Sequence, residues 1–514
     1  MMHRFIHQAL QCGATASLLL LYAVGACAQS AVPLAAPLNE GEIRTSLDKI
    51  ATVFEAVTSN MADPVDPENA IYGGIIPGIM ARLDPFSVFL DKDQFQAMQQ
   101  QSRGVRQGFG AVLSVQAGRI TVLQSVANSP VGRAGLGPGD RIVAINGKRV
   151  ASLDLEELVQ ALEQARSNKV RLAVLHGGNV VPHDFELDPA EVPSPTVDKK
   201  FLWNPDLGYL HVSHIEPGTP EEIRQAIEEW NRAPLRGLIL DLRDNPGGSV
   251  EAAVAIAGLF LPQGEEVVRL EGRSVPERKF LVEAPPPFPD LPLVVLLNGR
   301  SASASEMIAA ALQDHDRAWL IGEPTFGKGV AESVMPLSEG NALVLTTARY
   351  LTPGGRSLQK PLPGTALAGI LERGPRKFFT DHGRPVEEQG GVQPDQRAEP
   401  WRLDKWTEIL LQTTAFINFA QGTVDRRKPI SGQFQVDDPL LAEFRLYLRQ
   451  FGMEIPEPEW QRDAPFIRMS IQSEIFNLVF GVTKGDEAAL RADPQARAAV
   501  EAIEQAERVI GAAR

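Results

Sequence analysis

Apolar positions change their spacing several times along the chain, and each change marks a boundary. Over 38–101 they recur every three or four residues, in Ile43, Leu47, Ile50, Val53, Phe54 and Val57 and again in Ile71, Ile75, Ile79, Met80 and Leu83. That spacing predicts amphipathic helices. Asp84-Pro85 ends the second helix, because proline disfavours helix in the residue before it. Over 104–186 short β-like runs (111–115, 119–122, 141–145 and 170–175) alternate with glycine turns. One helix, 155–165, carries Leu155, Leu158, Val159 and Leu162 on one side. A proline-rich stretch, 189–195, reads as a linker. From about 207 to 395, strand-like runs (235–242, 291–297, 318–321) alternate with helical ones (250–261, 305–313). That alternation argues for an α/β layered domain. A second proline-rich insert, 284–292, lies inside it, and 401–514 is mostly amphipathic helix. The expectation is a multidomain α/β protein: a helical N-terminal region over 38–101, a β-rich domain over 104–186, an α/β core over 190–395 and a helical C-terminal region over 396–514.

Composition narrows the function classes. With 514 residues the chain can hold several domains, and 44% hydrophobic with 22% charged residues is globular composition. A net charge of −14 lacks the basic footprint of a nucleic-acid binder. The two cysteines, Cys12 and Cys27, exclude a disulfide scaffold and a multi-cysteine metal site. Both fall in segment 1–28, which reads as an export signal: Arg4 is followed by an apolar stretch over 13–24. That stretch is shorter than the roughly 20 residues a membrane span needs. Ala26-Cys27-Ala28 fits a small-x-small cleavage site cut after Ala28. Val24-Gly25-Ala26-Cys27 fits a bacterial lipobox, in which Cys27 becomes the lipidated first residue. Both endings stay open, and both predict an exported protein of the bacterial periplasm or cell envelope, free or tethered by a lipid anchor.

Three segments could carry chemistry. In 294–314 (VVLLNGRSASASEMIAAALQD) a buried strand runs into a small-residue turn and a helix leaves it. Such a junction exposes a hydroxyl beside the free N–H groups of a helix start, which can face a developing oxyanion. Taken alone it also reads as a serine-capped turn. In 325–329 (TFGKG), Lys328 lies between glycines after a strand. A lysine taken out of water is favoured in the neutral form a general base needs. In 241–248 (DLRDNPGG), glycines after another strand let backbone amides approach a ligand. His315 is a poor base for Ser303, since 12 helical residues span about 18 Å. His211 and His214, three apart on a strand, point to opposite faces and do not share a metal. Gly322-x4-Gly327-Lys328 has Gly329 where a phosphate-binding loop needs Ser or Thr. No metal site and no cofactor is expected.

Ser129-Pro130, Ala134-Gly135-Leu136, Pro138-Gly139-Asp140 and Ile145-Asn146-Gly147 resemble a PDZ domain. Together with SASASE, FGKG and DLRDNPGG, in this order, the chain over about 66–395 resembles the carboxyl-terminal processing peptidases, tail-specific serine proteases with a PDZ domain. Asp84-Pro85-Phe86-Ser87 resembles that family's DPxS signature. Thr346-Thr347-Ala348-Arg349-Tyr350 with Thr352-Pro353, and Gly391-Val392-Gln393-Pro394-Asp395, resemble its late motifs. The resemblance implies a Ser–Lys dyad, with Ser303 as nucleophile and Lys328 as base. It also implies an oxyanion hole from the amide of Ala304 and one from Gly247 or Gly248. Where the family usually has glutamine four residues after the lysine, this chain has Glu332. Gly108-Phe109-Gly110-Ala111 is the candidate loop for a peptide carboxylate, captured as PDZ domains do. The implied partners are protein C-termini, an adaptor protein and further copies of the chain. The alternative, motivated by Glu332, is a catalytically silent PDZ scaffold of the cell envelope.

Overall fold

The strands Gly237–Asp241 and Leu293–Leu297 are buried at every position. Unbroken apolar runs of this kind suit a parallel sheet covered on both faces. They pair in parallel, Leu238 opposite Leu293 and Asp241 opposite Leu296. Trp319–Gly322 adds in parallel beyond Leu293–Leu297, and Gln396–Arg397 beyond that. Parallel neighbours need crossovers. The helix Val250–Ala257 precedes Leu293–Leu297, and the helix Ala304–Asp314 leads from it to Trp319–Gly322. Both helices start just past the carboxyl end of a strand, where open α/β sheets bind ligands.

The computed structural model describes residues 40–101, 107–116, 118–126, 129–166, 168–176, 181–192, 195–230, 235–362, 377–427 and 429–512. The export segment and Cys27 lie outside them. The described chain forms two units: 107–210 with 398–501, and 40–101 with 211–397 and 502–512. No helix among the described residues is long and apolar enough to cross a membrane.

The parallel strands Gly237–Asp241, Leu293–Leu297, Trp319–Gly322 and Gln396–Arg397 belong to the second unit, which also holds an antiparallel sheet. There Ala342–Leu351 pairs with Val330–Pro336, with Glu266–Glu271 and with Val88–Leu90. Val88–Leu90 corrects the all-helical expectation for 38–101. The helix Ile76–Leu83 stops at Asp84 as expected, but the apolar residues after Pro85 find Val344, Leu343 and Ala342 more than 250 positions away. A partner so distant leaves no local signature. The helix Glu40–Asn60 has the expected period, yet Ile43, Leu47, Ile50, Val53 and Val57 on it are exposed. The insert 284–292 is tied down: Arg317 donates to the carbonyls of Phe288 and Leu291.

In the first unit, the strands Ala111–Gln116, Arg119–Ser125, Arg141–Ile145, Val170–Leu175 and His183–Leu187 follow in that order through one antiparallel sheet. Their core is built from Ile120, Val122, Ile142, Leu158, Leu172 and Val174. The linker reading of 189–195 is corrected in part, since Ala190–Glu191 pairs with Gln107–Gly108. The C-terminal helices of this unit enclose their own core around Phe416, Phe419, Phe444, Trp460 and Ile471.

Candidate active site

The turn after Leu293–Leu297 holds three serines in a row of five residues, and their surroundings separate them. Ser301 Oγ donates to the Leu242 carbonyl at 2.8 Å, Ser305 Oγ donates to the Asn245 carbonyl at 3.1 Å, and both serines are fully buried. Ser303 is half-buried at the start of the helix Ala304–Asp314, with φ of 56° and ψ of −116°. Such a backbone costs of order 1–3 kcal/mol in a non-glycine residue and persists only where its surroundings impose it.

The 241–248 loop supplies part of that frame. Ala302 N donates to the Asn245 carbonyl at 2.9 Å. Asn245 in turn donates to the Val212 carbonyl at 2.8 Å. Gly247 has φ of 95°, and a Cβ there would lie 2.7 Å from the Ala302 oxygen, 2.8 Å from Ala304 N and 2.9 Å from Ser303 Cβ. No side chain fits. The expectation of an oxyanion donor from either glycine is narrowed here, because Gly247 N already donates to Asn245 Oδ1 at 2.8 Å. Among the described residues no acceptor meets the N–H of Gly248 or of Ala304.

The lysine loop is joined to the serine turn by a residue that the motif reading passed over. Glu306 is fully buried, and four donors converge on its carboxylate. Thr325 Oγ1 at 2.5 Å and Gly327 N at 2.8 Å reach Oε1, while Ser303 N at 2.8 Å and Lys328 N at 2.9 Å reach Oε2. Burial pushes the Glu306 carboxyl up from the usual range, and the bonds from Thr325, Lys328, Ser303 and Gly327 pull against it. Every partner is a donor, so the ionised form is the one the site accommodates. The S-x-x-E spacing of Ser303 and Glu306 was the available signal, since a capping box places glutamate at that offset.

Lys328 is buried, and its Nζ lies 3.0 Å from Glu332 Oε1 on the strand Val330–Pro336. The Phe86 ring faces the same Nζ at 5.1 Å. Burial is the main cause that raises the Glu332 carboxyl, with Asp84 adding to it and Lys328 opposing. Asp84 Oδ1 accepts the N–H groups of Phe86 and Ser87, both at 2.8 Å. Thr346 donates its N–H to Ser87 Oγ and its hydroxyl to Asp84 Oδ1. The DPxS segment is thus a turn docked on Ala342–Leu351, and it presents Phe86 to the lysine.

The rival groups fall elsewhere. His315 caps the far end of the helix that Ser303 begins. His211 Nε2 meets the Arg243 carbonyl and His214 Nε2 meets Glu216, so the two histidines do not converge. A strand, not a helix, follows Lys328, unlike a phosphate-binding loop. In the other unit, the candidate carboxylate loop starts in the strand Gln107–Gly108. Phe109 packs against the sheet core, and the Gly110 carbonyl accepts from Val126 N at 2.8 Å. Gly110 has φ of 74° and faces Ser129, where a Cβ would lie 2.2 Å away. Ala111 begins the edge strand Ala111–Gln116, which is paired on one side only among the described residues.

Two family models match the chain: peptidase family S41 over residues 206–366 and a PDZ domain over 121–175. A carboxy-terminal-processing protease of Bartonella bacilliformis is 32% identical over 326 residues, covering 62% of this chain and 74% of that protein. A carboxyl-terminal-processing protease of Synechocystis is 34% identical over 291 residues, covering 55% of this chain and 68% of its own. A carboxy-terminal processing protease of Bacillus subtilis is 29% identical over 316 residues, covering 62% and 67%.

Proposed function

Because the chain belongs to peptidase family S41, among the carboxy-terminal processing serine proteases with a PDZ domain, we propose that it cleaves exported proteins by a Ser303–Lys328 dyad after recognising their C-terminal tails. Ser303 Oγ attacks the scissile carbonyl and Lys328 Nζ takes its proton. The oxyanion forms against the N–H groups of Ala304 and Gly248. Lys328 returns the proton to the leaving amine, and water then hydrolyses the acyl-enzyme. Glu332 stands where it can orient Lys328. The substrate tail adds to the edge strand Ala111–Gln116 with its carboxylate at 108–111.

The observation that carries this reading is the shared carboxylate of Glu306, which binds the Ser303 and Lys328 amides to one atom. Segment 1–28 supports export, with Cys27 as the lipid anchor if the lipobox is the site used. An adaptor or a second copy of the chain fits the same reading as a means of delivering substrate. The test is cleavage of a peptide ending in apolar residues. Wild type is expected to cleave it and Ser303→Ala to leave it intact. Equal cleavage by both removes Ser303 from the mechanism, and binding without turnover in wild type favours the silent scaffold.

A further inference from the structure

His315 sits at the C-terminus of the helix Ala304–Asp314 with both ring nitrogens aimed at oxygen. Nε2 lies 2.8 Å from the Glu266 carbonyl. Nδ1 lies 2.7 Å from Asp381 Oδ2 and 3.5 Å from Glu265 Oε2. A carbonyl has no proton to give, so Nε2 carries the hydrogen. With Nε2–H committed, Nδ1 faces the two carboxylates in one of two ways, as the N–H donor of an imidazolium or as a lone pair shared with a bound cation.

We propose that Glu265, His315 and Asp381 form a binding site for a divalent transition-metal ion of the zinc type. Their three ligand atoms lie within 4.8 Å of one another. Nδ1 is 2.7 Å from Asp381 Oδ2 and 3.5 Å from Glu265 Oε2, so an ion held at roughly 2.0–2.2 Å from all three needs the exposed Asp381 carboxylate to turn slightly outward. The bond from Nε2–H to a backbone carbonyl is the outer contact that orients metal-binding histidines. Two carboxylates are neutralised by a dication, whereas a proton on Nδ1 balances only one. An imidazole in the ligand set favours zinc and its neighbours over calcium and magnesium, which take oxygen. Asp381 is exposed, leaving room for water in the fourth position.

The neighbouring charges are already engaged. The Glu266 carboxylate is held by Arg269 and Lys279, and Asp316 is held by His382 and Arg384. The three ligands come from separate segments: the turn before Glu266–Glu271, the helix end, and the hairpin joining Phe378–Phe379 to Pro385–Val386. Asp381 N donates to the Asp314 carbonyl at 2.8 Å, which sets the hairpin against the helix end before any ion arrives. A bound ion would staple the three together.

The experiment is a zinc titration of the full chain without a histidine tag, stripped with chelator, followed by calorimetry and thermal unfolding. Calcium and magnesium serve as comparison ions. One zinc per chain is expected, with a raised unfolding midpoint, and His315→Gln and Asp381→Asn should each weaken binding by about tenfold or more. Asp381 is exposed, so its variant keeps the test valid if His315→Gln unfolds. Absence of zinc binding, or wild-type affinity in both variants, overturns the site and leaves an imidazolium ion pair.

Discussion

Replacing Glu306 with glutamine tests whether one buried carboxylate holds the two halves of the site together. The carboxylate offers two oxygens to four donors, and an amide offers only one. If the amide oxygen faces Ser303 N and Lys328 N, its nitrogen meets the Gly327 N–H. If it is turned over, its nitrogen meets the N–H groups of both Ser303 and Lys328. The milder orientation still strands one buried N–H, at about 1–3 kcal/mol. It also exchanges charge-assisted bonds of about 1.5–3 kcal/mol for neutral ones of about 0.5–1.5 kcal/mol. The expected loss of stability is at least about 2 kcal/mol, from the stranded N–H together with about 1 kcal/mol for each weakened bond. Activity should fall further than stability suggests, because a displacement of about 1 Å at a reacting group costs on the order of 100-fold. Urea unfolding and peptide cleavage of the same preparation read both effects. A Glu306→Gln enzyme with the wild-type unfolding midpoint and the wild-type kcat/KM would refute the clamp.

Four further outcomes are expected. Glu332→Gln removes the carboxylate 3.0 Å from Lys328 Nζ. The kcat/KM of peptide cleavage should change with the substitution, and an unchanged value excludes Glu332 as a functional partner of Lys328. Because the Glu332 carboxyl is raised in the fold, its contribution to stability is present below its unfolded pKa and lost as pH rises through the folded one. The stability of wild type relative to Glu332→Gln, measured by urea unfolding across pH, should therefore decline from acid to neutral. Gly247→Ala puts a Cβ 2.8 Å from Ala304 N. Activity should drop at least about tenfold, with a loss of stability from the positive φ and the backbone clash that urea unfolding records beside the peptide assay. Asp314, fully buried, accepts from Arg356, from Thr352 Oγ1 at 2.6 Å and from Gly354 N at 2.9 Å. Asp314→Asn should lower the unfolding free energy by about 3–5 kcal/mol, and an unchanged urea midpoint would count against that network.

The chain by itself determined those elements whose signals are local. The parallel strands were legible because unbroken apolar runs such as 293–297 have no alternative to burial on both faces. The PDZ-like sheet and its helix were legible in the same way, from short alternating runs and a helical period around Leu158. The family resemblance of the motifs carried the expectation of Ser303, Lys328 and the glycine loop, and glycine at 247 is demanded by close approach. What depends on partners far along the chain was decided only by the tertiary structure. Val88–Leu90 is a strand because Ala342–Leu351 offers it an edge, and Ala190–Glu191 is a strand because Gln107–Gly108 does. Ser301 and Ser305 are silenced by carbonyls at 242 and 245, which leaves Ser303 as the accessible hydroxyl. Glu306 acquires its meaning from Thr325, Gly327 and Lys328, and His315 from Glu265 and Asp381. Periodicity and turn chemistry act over a few residues and can be read in one dimension. A buried charge is specified by whichever donors folding brings to it, and no local pattern records them.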